Sequence, residues 1–167
     1  MQKIGLLFLI LFATLKINAQ SFNYKLRLTD NVAVSFPLRP TKGSGGSYGC
    51  KDSTGVVFAV SVSDIAKAIN FNKSTFDSVV VEKEFANDFL DGFTPSMPSY
   101  KFKPVSVSTL TGRVTYQIEG RDEENKSNIY YIAIFINGKA YNFICILPDG
   151  KSVRDKNLFF KGITIGK

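Results

Sequence analysis

The sequence predicts an α+β domain: an antiparallel β-sheet of about six to seven strands with helices covering it. Three observations predict it. Short runs of alternating apolar and polar residues lie on both sides of one long amphipathic stretch. Asn137-Gly138 sits between two apolar runs and signals a tight hairpin. The segments read strands, helix, strands, helix, without the regular strand–helix alternation of a parallel sheet.

The N-terminus carries Lys3, the apolar run "IGLLFLILFA" and "INA" ending at Ala19. This is the pattern of a secretory signal peptide, residues 1–19, and its apolar run is shorter than the roughly 20 residues of a bilayer span. No Cys follows Ala19, so no lipid anchor is expected. Residues 20–167 are left as one domain of 148 residues, a size at which one core buries about two thirds of the unfolded surface.

In "VAVSF", Val32, Val34 and Phe36 share one face, and Pro37 and Pro40 then end the pairing. "SYGC" and "VVFAVSVSD" read as two further strands around the turn "KDSTG", so that all three form an antiparallel meander. "AKAINFNKS" is polar and irregular. Residues 74–91 are expected as one helix, started by Ser74 with Asp77 and stopped by Gly92. Its apolar stripe is Phe76, Val80, Val81, Phe85 and Phe89, and the β-branched run Val79-Val80-Val81 works against it.

"FTPSMPSYKFKP" reads as a surface connection. "VSVST" and "RVTYQIEG" are strands flanking the turn "LTG", with Val114, Tyr116 and Ile118 on one face. The Asn137-Gly138 turn fixes the next register: Ile136 opposes Lys139, Ile134 opposes Tyr141, Ile132 opposes Phe143 and Tyr130 opposes Cys145. Both faces of this hairpin are apolar, which places it at the sheet centre. Ser152 caps a short closing helix, and "GITI" is a last strand or tail.

Little of the sequence points to catalysis. Gly45-Gly46-Ser47-Tyr48-Gly49 matches the G-x-S-x-G nucleophile elbow, but that device needs a helix after the serine and a histidine base. The chain has no histidine, and strand-like residues follow Ser47. A glycine-rich bend explains the stretch better. A phosphate cradle fails as well, because Tyr48 occupies the place of the third glycine. Without histidine and with two distant cysteines, the ligand set of a zinc site is missing. Asp122, Glu123 and Glu124 in "RDEEN" lack the spacing of a calcium loop and read as a solvated connection. No catalytic, cofactor-binding or metal-binding residue is therefore assigned, and no cofactor is expected.

Cys50 and Cys145 leave two readings open in an exported chain: a disulfide, or two small buried hydrophobes. The chain carries 21 basic and 14 acidic residues; removing Lys3 and Lys16 with the leader leaves 19 against 14, or +5. The basic residues are scattered, so nucleic acid is not an expected partner. Most of the 15 Phe and 7 Tyr belong in a core, although Tyr130 and Tyr131 face opposite ways and one of them can line a groove.

Taken together, "VSFPLRP", the helix "FDSVVVEKEFANDFL", "LTGRVTYQIEGRD", "YYIAIFINGKAYNFICIL" and "LFFKGITI" resemble the PsbP/Mog1-like α-β-α sandwich over nearly all of residues 20–167. That family comprises small domains common among exported bacterial proteins. The resemblance implies a non-catalytic accessory or binding role, and it transfers no functional residue. The expectation is an exported, non-enzymatic binding or accessory domain of the bacterial cell envelope, periplasmic or secreted. Its partner would be an envelope protein or a small ligand, with no membrane span once the leader is cut. Two alternatives stand beside it. One is a carrier of a small apolar or anionic ligand in a pocket beside the sheet; the other is a carboxylate-based hydrolase, whose acids would converge only in three dimensions.

Overall fold

Two sheets and four α-helices make up residues 21–166, which the computed structural model describes. The signal-peptide expectation for residues 1–19 lies outside the described residues. In chain order the elements are β1 (Tyr24–Thr29), β2 (Val32–Phe36), β3 (Thr41–Lys42), β4 (Tyr48–Lys51), β5 (Val57–Asp64), α1 (Ile65–Ala68), α2 (Lys73–Val79) and α3 (Lys83–Phe93). They continue as β6 (Lys101–Phe102), β7 (Ser106–Leu110), β8 (Arg113–Asp122), β9 (Ser127–Ile136), β10 (Lys139–Pro148), α4 (Val153–Lys161) and β11 (Thr164–Ile165).

The main sheet is antiparallel and eight-stranded, larger than the six to seven strands expected; its order is β3-β4-β5-β10-β9-β8-β6, with β7 also on β8. The β9–β10 hairpin is central, and its register is the one the Asn-Gly turn dictates, from Ile136 opposite Lys139 to Tyr130 opposite Cys145. Asn137 and Gly138 have φ of 53° and 79°, the left-handed pair a type I′ turn requires. The far edge of β8 is shared by β6 and β7 in succession. Pro104 separates them, because a residue without an N–H cannot continue the ladder. Part of the expected surface connection is thus strand.

The meander expected for β2, β4 and β5 does not form. β4 and β5 pair, while β2 lies between β1 and β11 in a separate three-stranded sheet. Pro37 and Pro40 break the ladder after Phe36, and the chain leaves to start a second layer. Asp52 closes the β4–β5 turn, its Oδ1 accepting from Thr54 N at 2.8 Å and Val56 N at 3.0 Å.

Each face of the main sheet has its own core. One face buries Phe58, Val60, Ile134, Phe143 and Cys145 against β2 and α4. Phe159 of α4 is 0% exposed there, with ring centroids 5.3 Å from Phe36 and 5.1 Å from Phe58. Ser152 caps α4 by accepting from Arg154 N at 3.1 Å. The other face buries Tyr116, Ile118, Tyr131, Ala133 and Phe135 against α1, α2 and α3.

The helix expected over residues 74–91 is two helices. Asn72, not Ser74, caps the first, accepting from Thr75 N at 2.9 Å. At about 100° per residue, Phe76 and Phe85 would lie about 180° apart on one continuous helix. The break at Val80–Glu82 rotates the second helix so that both rings face the sheet, with centroids 5.9 Å apart. Val80 ends α2, and Tyr116 Oη donates to its carbonyl at 2.5 Å. Gly92 does not stop α3, which runs to Phe93 and into a 3-10 turn at Thr94–Ser96. "AKAINFNKS" contains α1, whose Ala66 N donates to Gly138 O at 2.9 Å. Among the described residues no helix is long and apolar enough to cross a membrane.

Candidate functional site

Between α1, α3 and the helix-covered face of the sheet lies a cavity of about 650 Å³, within the usual range for small-molecule sites. Its floor comes from three neighbouring strands. The register sets Ser61 opposite Asn142 and Ile144 opposite Tyr131, so side chains of β5, β10 and β9 converge on one face. Its walls are Ile65 of α1, Ile69, and Phe85, Phe89 and Phe93 from successive turns of α3. Ile69 and Phe71, each 39% exposed, stand at the rim.

The floor is polar in an otherwise apolar space. Tyr131 Oη donates to Asn142 Oδ1 at 2.7 Å, and Asn142 Nδ2 donates to Ser61 Oγ at 3.1 Å and to Ser63 Oγ at 3.2 Å. Asn142 is 7% exposed, and these bonds offset the cost of placing an amide there. Burial holds the Tyr131 phenol well above its ordinary pKa, so it stays a neutral donor. Phe93 stacks on Tyr131 with centroids 4.7 Å apart and planes within 8°; Phe89 is parallel to it within 3° at 6.1 Å. Gly92 lines the cavity, and a Cβ built on it would meet nothing within 4 Å.

Charge is sparse. Among the described residues lining the cavity, Asp88 is the one carboxylate and there is no Lys or Arg. A glycosidase-like mechanism needs two acids facing one substrate, an arrangement this cavity does not offer.

Of the residues singled out from sequence, Tyr131 lines the cavity, while Tyr130 lies on the opposite face under Lys156 Nζ, 4.1 Å from its ring centroid. Ser47 is remote from it, in a glycine bend where Gly45 and Gly46 have φ of 61° and 76°. Its hydroxyl donates to Ser44 O at 2.7 Å, and strand β4 follows. Asp122 is spent on a turn, accepting from Asn125 N at 2.9 Å and Nδ2 at 2.8 Å, which lowers its pKa to about 2. Glu123 pairs with Arg121 at 3.2 Å. Among the described residues no cluster of three or more His, Cys, Asp or Glu is placed to hold a metal ion.

Both cysteines are free in this structure. Cys50 and Cys145 both pair with Phe58, from opposite sides of β5. Two strand spacings, about 10 Å, separate them, beyond the roughly 7 Å limit for a bridge. Burial raises the Cys145 thiol to about 12.

Sequence reasoning missed Ser61, Ser63 and Asn142. Asn142 did leave a signal, as a single amide within the apolar run "YNFICIL". Ser61 and Ser63 alternate with Val60 and Val62, a pattern that any solvent-facing strand would share.

No family model matches the chain, and no curated protein matches it by sequence. Solved structures do resemble it. The solution structure of cyanobacterial PsbP (CyanoP) from Synechocystis sp. PCC 6803 superposes with a TM-score of 0.56 at 13% identity, covering 81% of this chain and 87% of that one. A crystal structure from Bacteroides thetaiotaomicron gives a TM-score of 0.47 at 11% identity over 81% of this chain, which spans 45% of that protein's length. The likeness to CyanoP is one of fold: the chain has a PsbP-like α+β architecture.

Proposed function

We propose that the protein is an exported, non-enzymatic binding domain of the cell envelope, which holds a small molecule in the cavity between α1, α3 and the main sheet. The observation that carries this reading is the cavity itself: about 650 Å³, aromatic walls and a connected polar floor. Such a combination of apolar surface and a few convergent polar groups is how ligand sites are built. The leader-like residues 1–19 support export, and the single carboxylate supports binding over hydrolysis.

Gly92 gives a direct test. Gly92→Phe places a ring in the open space at the cavity wall and removes a helix-weakening glycine, so the fold should persist. The neutral fluorophore N-phenyl-1-naphthylamine should bind the wild type saturably, with brightened emission. Gly92→Phe should weaken that binding by at least about ten-fold, the equivalent of about 1.4 kcal/mol. Absence of saturable binding, or equal binding to both proteins, would refute the cavity as the site.

A further inference from the structure

The chemistry of the cavity floor restricts what can occupy it. Tyr131, Asn142, Ser61 and Ser63 own five polar hydrogens among them. Three bonds within the group consume three. Two remain whichever way the Asn142 amide is turned, because each internal bond spends one hydrogen. In the observed arrangement they are the hydroxyl hydrogens of Ser61 and Ser63, since both serine oxygens accept from Asn142 Nδ2. Both serines are half-buried and line the cavity. A donor facing an apolar space is satisfied best by an acceptor on whatever fills that space.

Two further features narrow the class. The rings of Phe89 and Phe93 are nearly parallel to that of Tyr131, giving the wall one prevailing plane against which a flat ring can stack. An anion would lose its hydration without meeting any cation among the described lining residues, and would face Asp88. The anionic arm of the carrier alternative therefore has no support in the lining.

We infer that the cavity takes an uncharged, planar ring compound whose carbonyl oxygen accepts hydrogen bonds from Ser61 and Ser63 while its ring lies along Phe89 and Phe93. This inference rests on the cavity being the binding site, and its test separates the two claims. Three probes share one tricyclic frame: 9-fluorenone with an acceptor, fluorene without one, and fluorene-9-carboxylate with a charge. Equilibrium dialysis against the purified protein should give 9-fluorenone an affinity about ten-fold above each of the others, the scale of two neutral hydrogen bonds. In Ser61→Ala/Ser63→Ala the advantage of the ketone over fluorene should vanish, while fluorene itself binds within about two-fold of its wild-type affinity and so reports an intact cavity. If the double variant loses fluorene as well, either single substitution supplies the same comparison with a smaller change.

Equal binding of ketone and hydrocarbon, tightest binding of the carboxylate, or a preference that survives the serine substitutions would each overturn the inference while leaving the cavity as a site. Failure of all three probes in a protein that still binds N-phenyl-1-naphthylamine would overturn it equally. Failure of the fluorophore too would remove both claims.

Discussion

Asn142 shows how much one residue can organise. An amide buried in a central strand is tolerated because Tyr131 supplies its acceptor's partner and two serines of β5 take its donors. Its presence in the chain was visible; its partners were not, since they lie on two other strands. Tyr116 makes a comparable long-range bond, its hydroxyl capping the carbonyl of Val80 where α2 ends. Both groups are buried. Replacing Tyr116 with Phe keeps the ring against Phe89 and Phe135 but strands that carbonyl. Urea unfolding of Tyr116→Phe should show a loss of about 1 to 3 kcal/mol, the usual cost of a buried polar group left without a partner. An unchanged midpoint would mean that the break between the helices is held by packing alone.

At the level of elements, the β9–β10 hairpin was readable, while the β1–β2 hairpin and the helix pair were not. A type I′ turn fixes register locally, so Asn137-Gly138 determined the pairing of β9 with β10 by itself. The stretch from Lys73 to Phe93 carries two apolar stripes that only a break can bring to the same sheet. Ser74 had the composition of a cap, yet Asn72 two residues earlier does that work. The distinction is measurable. Asn72→Ala should cost about 1 kcal/mol of stability through the lost cap, whereas Ser74→Ala should stay within about 0.5 kcal/mol of wild type. Comparable losses from both would relocate the helix start to where the sequence pattern first put it.

For the whole molecule, the decisive feature is a main sheet with a separate core on each face. β1, β2, β11 and α4 cover one side; α1, α2 and α3 cover the other and leave the cavity between α1 and α3. The same strand order keeps the cysteines apart, because β5 lies between β4 and β10 and places Phe58 between the thiols. Titration of the unreduced protein in denaturant should find two free thiols, and reductant should leave the melting temperature unchanged. One oxidised pair per chain would contradict the strand order.

The α+β class, the central hairpin with its register, the glycine bend at Ser47 and the cap of α4 can be read from the chain alone, because each depends on residues close together in it. That β2 leaves the main sheet, that residues 73–93 break into two helices, and that Ser61, Ser63, Asn142 and Tyr131 meet beneath aromatic walls emerges in the folded molecule. Those outcomes rest on contacts between residues far apart in sequence, and local propensity carries no information about which distant surface a segment will bury against.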